Sequence, residues 1–319
     1  MSFAVSVITP VHNGADTIAA ALRSVVAQTT PAAEVVVIDD RSTDGSADAA
    51  ETMRQPLADV GTKLTIIRPD DGGNAAIARN RGIEAASGDW IAFLDADDAW
   101  LPENLENAAA LLADTDDVAR LGHCDVLRWG STDLRPTVSF DLAEPTARLS
   151  PQRFVELWSK ARHFPNGGVV ARRDRVLDIG GFDEQQVRRH DWELFLRVIE
   201  GRSWAYDPRP NWVYTQGRPG CVSSKDAECA YFAVRGLAKN LPAYDVPAMR
   251  SVLRRKAQSC LSVTWAAGDA ADRRRALEVA GPHVNAARRW FYKLGNVAPV
   301  LTKPIVRRHT SATPKAVPA

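Results

Sequence analysis

Through the first hundred residues, short apolar runs alternate with stretches whose apolar residues recur at helical spacing. The runs are "FAVSVITP", "EVVVIDD", "KLTIIRP" and "DWIAFLD", each stopped by Pro or by carboxylates. After the first, "ADTIAAALRSVVAQ" places Ile18, Leu22, Val25 and Val26 at helical spacing, with Asp16 or Thr17 near the cap. "STDGSADAAETMR" predicts a second helix that Ser42 or Asp44 can cap, and "NAAIARNRGIEAAS" a third ended by Gly88. Apolar strands alternating with helices predict a parallel sheet covered on both faces, the α/β class.

The pattern changes at Leu101. Helices such as "PENLENAAALLAD" and "SPQRFVELWSKA" are separated by irregular segments rich in Gly, Pro and polar residues, and "DVARLGHCDVLRWG" and "SWAYDPRPNWVYTQG" add strands of a mixed sheet. After Lys225 the chain reads as helices, "AECAYFAVRGLAKNL", "PAMRSVLRRKAQSCLSVTWAAG" and "DAADRRRALEVAG", and "RRHTSATPKAVPA" has the composition of a disordered tail. No internal repeat is present. Three segments follow: residues 1–100, residues 101–225 and a helical extension with a flexible tail, residues 226–319.

Charge sharpens that division. The net charge is +1, yet from Glu228 onward 16 Lys and Arg face 5 Asp and Glu, an excess of 11 positive charges over an acidic front. Such asymmetry points to a polyanionic or membrane-surface partner for the tail, with no nucleic acid expected. Cys124, Cys221, Cys229 and Cys260 form no CxxC pair, as expected of thiols in a reducing cytosol. The start, "MSFAVSVITPVHNG", lacks the basic and apolar regions of a signal peptide, and no stretch approaches the roughly 20 apolar residues of a membrane span. The expectation is a cytoplasmic protein, at most peripheral to the inner face of a membrane.

Chemistry concentrates where the strands end. In an open parallel sheet, ligands bind beyond the carboxyl ends of the strands. "PVHNG", "DDRSTDG" and "DADD" follow the first, second and fourth runs and fall on that rim. Asp95, Asp97 and Asp98 repel one another, so a positive group is expected among them. They read either as ligands of a divalent cation, Mg²⁺ or Mn²⁺, or as caps of the helix that begins near Pro102. Asp98 is the most structural of them in this reading.

Taken in order, "VSVITPVHNG", "EVVVIDDRSTDGS", "ARNRGIEAASGDWIAFLDADDAWLPENL" and "GGFDEQQVRRHDWELFLRV" resemble successive blocks of the family 2 glycosyltransferases. The resemblance covers roughly residues 3–224. It implies the GT-A fold, a Rossmann-like, mostly parallel mixed sheet flanked by helices, here with a helical C-terminal extension. It implies transfer of a sugar, with inversion, from a nucleotide-diphosphate donor to the hydroxyl of a glycan, lipid-linked or small-molecule acceptor. Residues 1–100 then correspond to the nucleotide-sugar-binding half and residues 101–225 to the acceptor-binding half.

Carried to matching positions, the resemblance places Pro10, His12 and Asn13 beside the nucleobase, where the family often has Tyr in place of His12. It gives Asp40 to the base edge, Asp95 to the ribose or the surroundings of the metal, and Asp97 to the metal itself. Arg79 offsets phosphate charge. Asp191 matches the catalytic aspartate, a general base on the acceptor hydroxyl, and His190 stands where the family often has Glu. Blander readings stay open: Asp191 as a charge favoured by a helix N-terminus, His12 as a packed loop histidine, Asp44 as a turn residue. His163 has a weak claim on the acceptor. Trp90, Trp100, Trp192, Trp204 and Trp212 read as packing more often than as a sugar platform, with Trp192 the one beside the base. The loop "TQGRPGCVSSKD" reads as an ordinary Gly/Pro connector more readily than as a segment that closes over the donor, from which Arg218 can reach phosphate. A nicotinamide-dependent dehydrogenase fits poorly, because no GxGxxG follows the first strand. A nucleotide-sugar-binding subunit or scaffold without transfer activity is the alternative.

Overall fold

Strand β1 (Val5–Val11) is buried except at Pro10, and β2 (Glu34–Asp39) is buried throughout. Such strands need cover on both faces, and the helices between them supply it. The computed structural model describes residues 3–136, 140, 142–160, 166–218, 227–244, 246–267 and 270–297. It contains two compact units, Met1–Cys221 and Val222–Ala319.

Between β1 and β2 runs α1 (Ile18–Val26), which buries Ile18, Ala21, Leu22 and Val25. The single helix expected after β2 is two short ones, α2 (Ser46–Glu51) and α3 (Arg54–Asp59). Pro56 has no N–H for the Thr52 carbonyl, which breaks the ladder at that turn. Gly45, in the left-handed conformation, occupies the cap position of α2 rather than Ser42 or Asp44. Strand β3 (Lys63–Ile67) leads to α4 (Ala75–Ala85), capped by Asn74, whose side chain accepts from the N–H groups of Ala76 and Ile77. Gly88 does not end this helix; Ala86 is already extended, and the Gly88 N–H reaches back to Ser6 Oγ at 2.9 Å.

Next come β4 (Trp90–Phe93), β5 (Ala99–Trp100), α5 (Asn104–Leu112), β6 (Ala119–Arg128), β7 (Leu134–Pro136) and β8 (Thr146–Leu149). They are followed by α6 (Pro151–Lys160), β9 (Val169–Arg172), α7 (Arg173–Asp178), α8 (His190–Ile199) and β10 (Trp204–Gln216). The strand order is β3-β2-β1-β4-β9-β6-β10-β5, with β7 beside β6 and β8 beside β10. Strands β1 to β4 run parallel, Ile8 pairing with Val36 on one side and Phe93 on the other. Strand β9 is antiparallel to both its neighbours, while β6 and β10 are parallel to each other.

Because β2, β1 and β4 are adjacent and parallel, their carboxyl ends open on one rim. Helix α4 reaches that rim through a close approach at Gly82, where a Cβ would stand 2.6 Å from Ile8 Cγ2 and 2.7 Å from Ile38 Cδ1. Behind the rim lies an aromatic cluster in which Phe154 meets Phe195 at 4.9 Å and Trp204 at 5.5 Å.

The second unit contains α9 (Ala227–Asn240), α10 (Pro247–Ala267), α11 (Ala270–Ala280) and α12 (Ala286–Val297). On α12, Tyr292 is buried, bonded to Ser262 Oγ at 2.9 Å and packed edge-on against Trp265 at 5.0 Å. Among the described residues, no helix is long and apolar enough to cross a membrane.

Candidate active site

Two loops, one after β1 and one after β2, are laced together by polar groups. Asn13 and Arg41 take positive φ values of 52° and 61°, which residues with a Cβ adopt at a cost. The Asn13 N–H donates to Ser42 Oγ at 2.9 Å, and its Oδ1 accepts from the Thr43 N–H at 2.9 Å. Asp44, a turn residue as one reading held, accepts from the N–H groups of Ala15 (2.9 Å) and Ser46 (3.1 Å). His12 Nδ1 lies 2.8 Å from the Asp40 carbonyl, which can only accept, so Nδ1 carries the ring proton. The Asp40 side chain accepts from the Gly73 N–H at 3.0 Å. His12, Asn13 and Asp40 are thus brought together, and Pro10 stands two positions before His12 near the end of β1.

After β4, the three acids separate. The Asp98 side chain is buried and accepts from the Thr215 N–H at 2.8 Å. Burial, with Asp95 and Asp97 beside it, holds its carboxyl well above the usual range. Its bond to the β10 backbone makes Asp98 a structural group. None of the three caps α5, where Glu103 holds the cap position. Asp97 is pushed up to about 6, first by burial and then by the charge of Asp95, with Arg218 and Arg79 opposing.

The cation expected among the acids is Arg79. Its side chain is 5% exposed; one terminal nitrogen pairs with Asp95 Oδ1, and the other lies 2.7 Å from His190 Nε2 and 3.2 Å from the Ala75 carbonyl. Arg218 comes from the far end of β10 and donates to the Asn13 carbonyl (3.1 Å) and to Asp16 Oδ1, while resting over the Trp129 ring at 5.6 Å.

Asp191 begins α8 next to His190, just after Arg189, another residue at positive φ (58°). Asp191 Oδ1 is shut off from solvent and has no hydrogen-bond partner among the described residues, although the residue as a whole is only half-buried. Burial pushes the carboxyl up to about 6, against Arg189, the Trp192 N–H and Arg79.

The segment before Asp191 is held by α4. Asn74 Nδ2 donates to the Glu184 carbonyl at 2.9 Å, and Asn80 takes both backbone groups of Phe182, at 2.7 and 3.0 Å. Sequence reasoning missed Asn74 and Asn80, and gave Ser42 a capping role where it holds the Asn13 N–H. Local pattern offers no partner for a polar helix residue whose acceptor lies a hundred positions away.

The tryptophans follow the packing reading. Trp192 is 4% exposed and packs against Trp158 at 5.0 Å, so it serves the core and offers no sugar platform. Trp100, Trp204 and Trp212 are buried as well, and Trp90 packs on Phe3 at 5.4 Å. His163, Cys221 and the loop beyond Arg218 lie outside the described residues. Among the described residues, no three His, Cys, Asp or Glu side chains form a group able to hold a metal ion alone.

The sequence model of the family described as "Glycosyl transferase family 2" matches residues 6–180, more than half of the 319 residues. The chain belongs to glycosyl transferase family 2. The family 2 chain is 26% identical over 195 residues to the amylovoran biosynthesis glycosyltransferase AmsB of Erwinia amylovora, covering 60% of this chain and 63% of that one. It thus spans less than two thirds of the curated relative it matches. In structure it resembles S. aureus TarS 1–349 in complex with UDP-GlcNAc, with a TM-score of 0.69 at 17% identity over 96% of this chain and 91% of that one. It also resembles the mannosyltransferase PcManGT of Pyrobaculum calidifontis in complex with GDP-Man and Mn²⁺, with a TM-score of 0.54 at 22% identity over 94% and 86%. Both likenesses are of fold, and the fold of this family 2 chain is GT-A.

Proposed function

We propose that this protein transfers a glycosyl group from a nucleoside-diphosphate donor to an acceptor hydroxyl, with inversion, in the synthesis of a cell-envelope polysaccharide or glycolipid. One observation carries the reading. The nucleotide-side loops are hydrogen-bonded to each other and to Gly73 just before α4, and Arg79 on α4 joins Asp95 to the segment bearing Asp191, whose carboxyl is poised near 6. A scaffold that only bound nucleotide would have no use for that carboxyl, because an unpartnered buried oxygen costs stability.

In this reading Pro10, His12, Asn13 and Asp40 receive the nucleobase, and Arg79 stands beside the phosphates while holding Asp95. Asp97, with Asp95 beside it, offers the hard oxygen donors that Mg²⁺ or Mn²⁺ prefers. Such ions commonly take one or two carboxylates and complete their shell with phosphate and water, so the lack of a three-residue cage fits. When bound, the cation neutralises charge developing on the departing nucleoside diphosphate. Asp191 takes the proton of the acceptor hydroxyl. Attack by that hydroxyl from the face opposite the leaving group forms the new glycosidic bond as the sugar–phosphate bond breaks, and the anomeric configuration inverts. Names of relatives such as AmsB support polysaccharide synthesis as the setting.

For the extension, α12 presents Arg288, Arg289 and Lys293 to solvent, together with Trp290, which is 65% exposed. Basic residues are drawn to anionic lipid and Trp settles at the headgroup level. This supports peripheral docking at a cytoplasmic membrane face, where lipid-linked acceptors would be met.

The test is a panel of nucleoside diphosphates and their sugars, scored by thermal stabilisation with and without Mn²⁺, then turnover with the best donor. Metal-dependent stabilisation together with loss of transfer in Asp191→Asn supports the reading. Stabilisation by none of the panel would overturn it.

A further inference from the structure

The position before the base is the oddest residue of the site. His190 is pulled down to about 3, mainly by burial and then by the charge of Arg79, so the ring is neutral at any ordinary pH. A guanidinium has donors and no acceptor. The 2.7 Å contact between Arg79 and His190 Nε2 therefore requires an unprotonated Nε2, and the ring proton sits on Nδ1. That nitrogen is buried and has no hydrogen-bond partner among the described residues, and the nearby Gln186 backbone, which favours the protonated ring, opposes the shift.

The rest of the surroundings fix the same geometry. The Phe182 ring meets His190 edge-on at 5.5 Å and lies 5.7 Å from the Arg79 guanidinium carbon. Phe182 is itself pinned by Asn80, and Gly181 beside it, at φ +64°, lies so close that a Cβ there would stand 2.5 Å from Asn80 Oδ1. The planar guanidinium thus spans two elements, one edge on the imidazole of α8 and the other on Asp95 at the end of β4.

We propose that His190 is a positioning residue that works through Arg79: its Nδ1-protonated ring accepts from one edge of the guanidinium so that the other edge meets Asp95, tying the segment that bears Asp191 to the donor-side carboxylates. A Glu at this position would form an ion pair with Arg79 and compete with Asp95 for it. A neutral acceptor leaves the positive charge available to Asp95 and to a diphosphate. The donor side of this inference rests on the glycosyl-transfer reading above.

Two measurements on the full chain test it. The first is an imidazole ¹⁵N–¹H correlation spectrum, with His190 picked out from the six histidines by the spectrum of His190→Gln. The expected result is an Nδ1–H ring unchanged between about pH 5 and 8, the range in which ordinary histidines titrate. An Nε2–H tautomer or a charged ring in that range would overturn the proposal.

The second measurement is affinity for UDP and GDP, each with Mg²⁺, in the wild type, His190→Phe and His190→Gln. Phe keeps a ring against Phe182 but removes the acceptor, and should weaken the nucleotide that binds by roughly ten- to a hundredfold, the scale of a hydrogen bond to a charged group. Gln brings back an acceptor and should restore most of that affinity. A His190→Phe protein that binds as the wild type does overturns the proposal. If neither nucleotide binds the wild type, the donor reading falls. In that case, or if His190→Phe does not fold, the spectrum alone still decides whether His190 holds Arg79.

Discussion

A carboxyl group that must take a proton from a hydroxyl works best with its pKa near the working pH, and Asp191 stands at about 6 where an unperturbed Asp is 3.8. Two outcomes follow at the scale of this residue. Transfer rate should rise with pH through about 6 and level off above it, because only the ionised form accepts a proton; a pH–rate profile of kcat/KM checks this. Asp191→Asn should cut turnover by roughly a hundredfold or more while leaving nucleotide affinity nearly intact. The same shift bears on stability. Between 3.8 and about 6 the folded protein holds a proton that the unfolded chain has released, so stability falls as pH rises through that window. Asp191→Asn removes that loss. Its stability, followed by thermal melting across pH, should match the wild type below about pH 4 and exceed it near neutrality, by about 1 kcal/mol once solvent screening of a half-buried group is allowed for. Asp97 makes a separate prediction: Asp97→Ala should abolish the difference that Mn²⁺ makes to nucleotide binding, read by titration with and without chelator.

At the scale of elements, α4 decides where the chemistry sits. One helix carries Asn74 and Asn80 against the 182–184 backbone and Arg79 between His190 and Asp95. It can do so only because Gly82 lets it lie close on β1 and β2. Gly82→Ala should cost about 1–3 kcal/mol, the usual scale of overpacking, since the new methyl meets Ile8 and Ile38 within 3 Å. Denaturant unfolding measures the loss. A variant as stable as the wild type would mean that α4 is free to ride outward, and the bracket described here would not exist.

For the whole molecule, the charge division matters most. The excess of 11 positive charges from Glu228 onward would be wasted on a purely soluble reaction, yet it suits an acceptor carried on anionic lipid. Co-sedimentation should show binding to vesicles with anionic lipid and none to neutral vesicles, weakening as salt screens the charges. Deleting residues 286–319 should abolish it. Lack of binding at low salt would leave α12 as an ordinary solvated face.

By itself the sequence determined the α/β class, the rim and the acids on it, because apolar runs and helical spacings are local signals of burial. It also held the family blocks, whose order along the chain needs no folding to be read. Tertiary structure alone decided what each acid does. Asp95, Asp97 and Asp98 are near neighbours in sequence, yet one is paired with Arg79, one is raised by burial and one is shut in against Thr215. The direction in which His190 departs from the usual Glu was likewise unreadable, since it depends on a guanidinium 111 positions earlier. Pairing and burial between distant segments set a side chain's protonation and orientation, and those properties do not exist until strands β1, β2 and β4 and helices α4 and α8 have met.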